Sequence, residues 1–433
     1  MIILLFLFFV FLTIITYLLF GRDIIAPSFV FCAMYTFSIG CALVNYQFWG
    51  LDIITNQLFN IYFFGAIIFI VIGMVCKFLF ARRFVEPSVT GLKKINVNQY
   101  FTVFMILVNI FSLIVWIVNV YKIAGGGSSF SSIMESFRLK TSYGFQDSMP
   151  SYAEQLSKVI TVSGYMYCFI YINNLIVSNQ KKFFDLSLIN PIIYIVFSLF
   201  SSNRLNILNF IATTVIYYCL LKNVEIKLKK GSMLLIVKLM LLFLTVMLFF
   251  YGIRLLVGRL ESTNSNLIEY ITKYAGGPVK LFDLYLQNPI HSSIWGQQTF
   301  VSINQLFRKL NMFNIPEYLA NKEFRTFNGF DLGNVYSAYR NWYEDFGYGG
   351  CLLMQGFFSL FFNGFYYKLI GSNYYDKSKL GLIIYGYLSC AIFLHPIDDE
   401  FFRIDISIGF IIYLVVFWVL YVFLIKKINV RLQ

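Results

Sequence analysis

The sequence predicts an all-α fold: a polytopic integral membrane helix bundle of about eleven transmembrane helices with a large helical extracytoplasmic loop. Three observations predict it. Of 433 residues, 59% are apolar and only 13% charged, where a soluble domain carries about 25% charged residues. Aromatic residues make up 20% of the chain, and its mean hydropathy is +0.71. The apolar residues also fall into runs of the length, about 20, that crosses about 30 Å of hydrocarbon. So much apolar surface cannot be hidden in a water-soluble globule of this size. A soluble enzyme, a disordered chain and a secreted disulfide scaffold are therefore excluded.

Taken in order, the runs cover residues 2–20, 24–46, 59–80, 99–121, 157–178, 185–201, 203–221, 232–257, 345–369, 379–396 and 404–425. The first has no basic leader and no small-residue cleavage site, so it is expected to stay as a helix rather than act as a signal peptide. The sixth and seventh are separated by Ser201, Ser202, Asn203 and Arg204, which suit a tight turn between helices or a polar break in one long hairpin. Alternate connections are basic: Lys77 to Lys94, Lys181 and Lys182, Lys222 to Lys230, Lys368 to Lys379, and Lys426 to Arg431. The positive-inside rule makes these cytoplasmic, with the N-terminus outside and the C-terminus inside. The chain then reads as one membrane domain, 1–433, with two long external connections, 123–155 and 258–344.

The first connection opens on AGGGSS but lacks the GKS/T ending of a phosphate-binding loop, and Phe130–Lys140 suits a short surface helix. In the second, Phe300, Val301, Ile303, Leu306, Phe307, Leu310 and Met312 fall near helical spacing, as in an amphipathic helix lying on the bilayer or capping the bundle. The stretch Leu267–Leu286 has a similar pattern, which Gly276, Gly277 and Pro278 are expected to break. No internal repeat is found. The seven cysteines form no CxxC pair, which excludes a zinc ribbon or thioredoxin-type site; they read as small packing residues.

The net charge is +13. Of the 34 basic residues, 18 fall in or at the edge of the cytoplasmic connections, counting Arg22. Topology accounts for these, and no nucleic-acid partner is expected. The others are informative. Arg204, Arg254, Arg259, Arg340 and Arg403 all fall at helix ends on the outer side, against the positive-inside bias. Snorkelling or salt bridges would explain one such arginine; a set suits forked binding of phosphate oxygens, such as a pyrophosphate. Glu344 and Asp345 begin the ninth run, and Asp398, Asp399 and Glu400 precede Arg403, where they neutralise arginines or act in catalysis. The two histidines, His291 and His395, lie on the outer side and are candidate general bases. No spacing matches a metal-ligand motif, and neither metal nor cofactor is expected.

The stretch NVYSAYRNWYEDFGYGG, Asn334–Gly350, runs straight into an apolar helix. It resembles a segment of bacterial oligosaccharide repeat-unit polymerases, the O-antigen and capsule polymerases of the Wzy class, through Asn334, Tyr336, Arg340, Asp345, Phe346, Gly347 and Gly350. Arg204 at an outer helix end, the Gly-rich first loop followed by Arg138, and the large later loop also match. The basic pair of the family is matched loosely by Arg254 and Arg259. The resemblance implies a glycosyl transfer at the outer face of the bacterial inner membrane. A growing glycan on undecaprenyl pyrophosphate would be the donor and one lipid-linked repeat unit the acceptor. It implies pyrophosphate stabilisation by the five arginines, with Asp345, Glu344 or His395 as base. Sugar rings would meet Arg138, Tyr336, Tyr339, Trp342 and Tyr343, with Trp295 as a further stacking residue. Membrane lipid and a chain-length regulator protein are the expected partners. Two other readings stand beside it: an O-antigen ligase using the same donor, and a non-enzymatic lipid-linked oligosaccharide flippase or transporter.

Overall fold

The computed structural model of the chain describes residues 1–81, 92–143, 148–178, 185–225, 241, 245–254, 266–316, 318, 322–371 and 379–426. In chain order its helices are α1 (Ile2–Leu19), α2 (Pro27–Val44), α3 (Asn56–Ala81), α4 (Gln99–Ala124), α5 (Phe130–Tyr143), α6 (Ser151–Ser178), α7 (Ile189–Phe200), α8 (Arg204–Glu225), α9 (Leu267–Gln287) and α10 (Val301–Lys309). A short antiparallel hairpin follows, β1 (Arg325–Phe327) with β2 (Phe330–Gly333). Then come α11 (Ala338–Gly371), α12 (Lys379–Leu388), α13 (Cys390–Leu394), a π-helical turn over Phe401–Asp405, and α14 (Ile408–Tyr421). The chain is an all-α membrane protein. Among the described residues seven helices are long and apolar enough to cross a membrane: α1, α2, α3, α4, α6, α8 and the helix from Ile408 to Lys426. Leu186–Phe200 and Lys379–Leu394 are shorter apolar helices. Most of the run at 232–257 lies outside the described residues, as do Arg259 and much of the basic connections.

The chain divides into two compact units. The first comprises Met1–Glu86, Asn266–Tyr374 and Leu388–Phe410. In it α11 packs along α3, and α2 packs between α1 and α9. A polar stripe at four-residue spacing on α11 faces α3: Gln355 Nε2 donates to the Gly65 carbonyl (3.4 Å) and Ser359 Oγ to that of Phe69 (2.9 Å). One turn on, Asn363 accepts from Ser28 Oγ of α2 (3.1 Å). Lipid offers no hydrophobic drive between helices, so such bonds, about 0.6–2 kcal/mol each, help fix the pairing.

The second unit comprises Pro87–Ser265, Tyr375–Tyr387 and Ile411–Gln433. Asn109 of α4 knots three helices together, donating to Ser163 Oγ of α6 and Asn190 Oδ1 of α7, both at 2.7 Å. From α8, Tyr217 and Thr213 hydroxyls donate to the Ile383 and Gly386 carbonyls of α12 (2.8 and 3.0 Å).

Four expectations change. The connection at 258–344 is not wholly helical, because it carries the hairpin β1–β2. Leu267–Leu286 is not broken at Gly276–Pro278: α9 runs through Pro278. Proline there removes the amide that would bond the Tyr274 carbonyl; beside the gap, Ser38 Oγ of α2 donates to the Ala275 carbonyl at 2.7 Å. The ninth run starts late, since α11 begins seven residues earlier, at Ala338. Finally, Ser201–Asn203 resolves as a turn between two helices, with Ser202 in the left-handed region (φ 54°).

Candidate functional site

The Asn334–Gly350 segment is the centre of a buried charged cluster in the first unit. Its geometry begins with Gly347, which interrupts α11 at φ 65° and ψ −167°. Side chains essentially never adopt this backbone region. The kink separates a short, largely buried piece, 338–346, from the long apolar piece that follows. At the kink the Glu344 carbonyl accepts from Ser292 N (3.0 Å). A side chain at Gly350 would collide with Cβ of Phe346. Phe346 itself packs against Trp295 (ring centroids 5.6 Å) and Phe300 (6.2 Å).

Asp345 organises the turn before α10. Its carboxylate accepts from Ser292 Oγ (2.6 Å), Gln298 N (3.0 Å) and Thr299 N (2.7 Å), so both oxygens are engaged. Beside it, Glu344 accepts from Arg340 Nη2 (2.8 Å) and from Gln298 Nε2 (3.2 Å). Arg340 in turn reaches Glu323 (3.2 Å), which also holds Arg325 (2.8 Å). The Arg340 guanidinium makes cation–π contacts with the rings of Tyr285 (3.6 Å) and Tyr336 (4.6 Å). Burial raises the Glu323 carboxyl, but its hydrogen bond from Arg340 and that charge outweigh burial and hold it below its usual range.

Lys322 and Arg403 meet Asp398 from two sides. Lys322 Nζ lies 3.9 Å from Asp398 Oδ1, and Arg403 Nη1 lies 3.4 Å from Oδ2. Lys322 is 8% exposed, and its ammonium has no hydrogen-bond partner among the described residues. Burial brings its pKa down to about 8, with Asp398 opposing. Next along the chain, Asp399 accepts from Trp342 Nε1 (2.7 Å) and Phe402 N (3.0 Å). Burial pushes this carboxyl up to about 7, against those bonds.

His395 is not exposed. Its Nδ1 lies 2.8 Å from the Tyr35 hydroxyl and its Nε2 2.9 Å from Gln355 Oε1. The Gln355 amide nitrogen faces the Gly65 carbonyl, which leaves Nε2 as the protonated nitrogen and Nδ1 as acceptor. Phe31, Tyr339, Trp342 and Phe358 surround the ring.

The expected aromatic platform is largely interior. Tyr336, Tyr339 and Trp342 are fully buried and Tyr343 nearly so, whereas Trp295 is 69% exposed. The first three fill the core around the cluster, and stacking on a sugar would require them to uncover. Trp295 is already available.

The arginines fall into two sets. Arg340 and Arg403 belong to the first unit; Arg138, Arg204 and Arg254 belong to the second. In the second unit all three are buried, on elements that meet near the α7–α8 turn. Phe130 of α5 packs on Phe200, Ile207 of α8 packs with Ile253, Arg204 lies over Phe250 (4.5 Å) and Arg254 over Tyr251 (3.6 Å). Sequence reasoning passed over Lys322 and Glu323 because they sit in a polar stretch with no motif. Their one signal was alternation of sign in Lys322, Glu323 and Arg325 ahead of the segment. Among the described residues no group of three or more His, Cys, Asp or Glu is arranged to hold a metal ion. In comparisons with known proteins, no family model, no curated protein and no solved structure matches the chain.

Proposed function

We propose that the chain is a polyprenyl-pyrophosphate-dependent glycosyltransferase that polymerises undecaprenyl-pyrophosphate-linked oligosaccharide repeat units into O-antigen or capsular polysaccharide, at the outer face of a bacterial inner membrane. The observation that carries the reading is the buried charged cluster in which Lys322, Arg340 and Arg403 meet Asp398, Glu323 and Glu344, built around the Asn334–Gly350 segment of a membrane protein. In the reaction, an acceptor sugar hydroxyl attacks the anomeric carbon of the donor. The bond to the pyrophosphate oxygen breaks, and the lipid pyrophosphate leaves with the electron pair. Fixed cations stabilise that charge, so the leaving group needs no proton. The hydroxyl proton needs an acceptor. Asp345 and His395 have their acceptor positions engaged, and Glu344 is held by Arg340 and Gln298. Asp398 also accepts from Asp399 N (2.8 Å) and Arg403 (3.4 Å), but at 28% exposure it has room for a further hydrogen bond from a substrate hydroxyl, and it is the carboxylate we assign to take the proton.

The test is reconstitution of the purified chain in nanodiscs with two lipid-linked repeat units as substrates. Products longer than one repeat are expected from wild type. Arg403→Gln and Asp398→Asn should lower the rate by about 10²-fold or more while the protein stays folded in the membrane. Transfer only to a lipid A core would instead make the chain a ligase. Transbilayer movement without bond formation would make it a flippase. Undiminished polymer from both variants would remove the site assignment.

A further inference from the structure

Helix α10 carries an apolar stripe that its packing does not use. Its buried residues are Val301 and Asn304, and the Asn304 amide donates to the carbonyls of Trp295 and Gly296 (both 3.1 Å). Ile303, Leu306, Phe307 and Leu310 follow i, i+3, i+4 and i+7, so they line a different and nearly opposite face. That face is not closed over: the first three are partly exposed, and Leu310 is 58% exposed. Apolar exposure continues at the tip beyond the helix, where Met312 is exposed and Phe313 is 75% exposed. The tip is left-handed at Asn311 (φ 54°), Phe313 (62°) and Asn314 (48°). Asparagine accepts that region, whereas a bulky side chain there is strained. The fold therefore holds a strained phenylalanine outward, with an edge contact to Phe307 (5.3 Å) but little burial in return.

Two observations choose what covers it. Arg308 and Lys309 flank the stripe, and an apolar face beside basic residues matches the boundary between acyl chains and anionic headgroups. The helix is also fixed close to where the chain enters the membrane. Ser302 Oγ donates to the Arg403 carbonyl (3.4 Å), shortly before Ile408–Lys426, which is long and apolar enough to cross. We infer that α10 and the 310–314 tip are an interfacial lipid anchor. Leu306, Phe307, Leu310, Met312 and Phe313 lie in the headgroup–acyl boundary of the leaflet where that helix starts, and Lys309 lies on lipid phosphates. The chain runs on from the tip to Lys322 and Glu323, so the anchor ties the charged cluster to the membrane surface. It does not depend on which reaction the chain performs.

The test is electron paramagnetic resonance on the full chain in vesicles of phosphatidylcholine and phosphatidylglycerol. A nitroxide is placed at one added cysteine: Leu310→Cys, Phe313→Cys or Gln305→Cys. The seven native cysteines are buried, and the chain without an added cysteine gives the background. Oxygen concentrates in hydrocarbon, while a nickel chelate, supplied on both sides, stays in water. Labels at positions 310 and 313 should relax more with oxygen than with nickel, as expected about 5–10 Å into the headgroup–acyl boundary. The label at Gln305, exposed on the polar side of the same helix, should favour nickel. Lys309→Glu should make the label at 313 shallower with phosphatidylglycerol present and change little in phosphatidylcholine alone. Nickel-dominated relaxation at 310 and 313 would put the tip in water and overturn the inference. Low access of both reagents would also overturn it, because protein would then cover the tip; dipolar broadening between labels would identify that protein as a second copy. Depth is read without substrate, so a chain that makes no polymer would still confirm or refute the anchor.

Discussion

Asp399 carries the clearest consequence at the scale of a single residue. Its carboxyl, up at about 7 when folded against an ordinary 3.8, binds its proton more tightly in the folded chain than in the unfolded one. The stability this contributes is fully present below about pH 4 and is lost as pH rises through 7. Asp399→Asn keeps an oxygen for Trp342 Nε1 and removes the titration. The thermal midpoint of wild type should therefore fall more steeply between pH 5 and 8 than that of the variant, and the variant should be the more stable at pH 8. Parallel curves would mean that Asp399 is ionised throughout. The sequence shows that Asp398, Asp399 and Glu400 form an acidic run. It does not show that one of them lies against Trp342, 57 residues away in the chain. His395 is similar: a lone histidine before a proline is visible, but its two partners, Tyr35 and Gln355, come from other helices. Site residues were legible as types, whereas their partners depend on long-range packing.

At the scale of elements, the Asp-Phe-Gly stretch gains a physical meaning. Asp345 ties the 292–299 turn, Phe346 packs on Trp295 and Phe300, and Gly347 turns the chain into the long apolar part of α11. Three glycines lie close together there and should respond differently. Gly347→Ala forces a side chain into a positive φ, at a cost of roughly 1–3 kcal/mol. Gly350→Ala meets Phe346 Cβ and must displace it. Gly349→Ala meets nothing within 4 Å, and alanine favours a helix by about 1 kcal/mol over glycine. Thermal unfolding in nanodiscs should rank Gly349→Ala at or above wild type and the other two below it. Equal loss from all three would dissociate the motif from the kink. Hydropathy located the apolar body of this helix but not its start, because Arg340, Glu344 and Asp345 make the first turns look like a loop. Arg340 and Glu344 are buried against each other, and the half-buried Asp345 is held by Ser292, Gln298 and Thr299. Pro278 misled for the converse reason: a helix break was expected from local chemistry, and a neighbouring helix supplies Ser38 where the ladder is interrupted.

For the whole molecule, the charge of +13 supports a topology that the proposed function requires. By the positive-inside rule, basic residues in alternate connections are expected to lie inside, which would put Lys94 inside and the 258–344 connection outside, and with that connection the Lys322, Arg340 and Glu323 part of the cluster. The composition made the membrane class legible from the start, because no soluble core accommodates it; orientation rests on charge asymmetry alone. The cysteines make it testable. All seven are free and buried, so the chain should label weakly with a membrane-impermeant maleimide. Lys94 is exposed, and Trp295 is 69% exposed, so a cysteine at either position should label once reagent can reach it. In intact spheroplasts Trp295→Cys is expected to label at once. Lys94→Cys should label only after the membrane is permeabilised. The reverse pattern would put the cluster on the cytoplasmic face, where no repeat unit already carried to the outer leaflet could reach it, and the polymerase reading would fall with the topology.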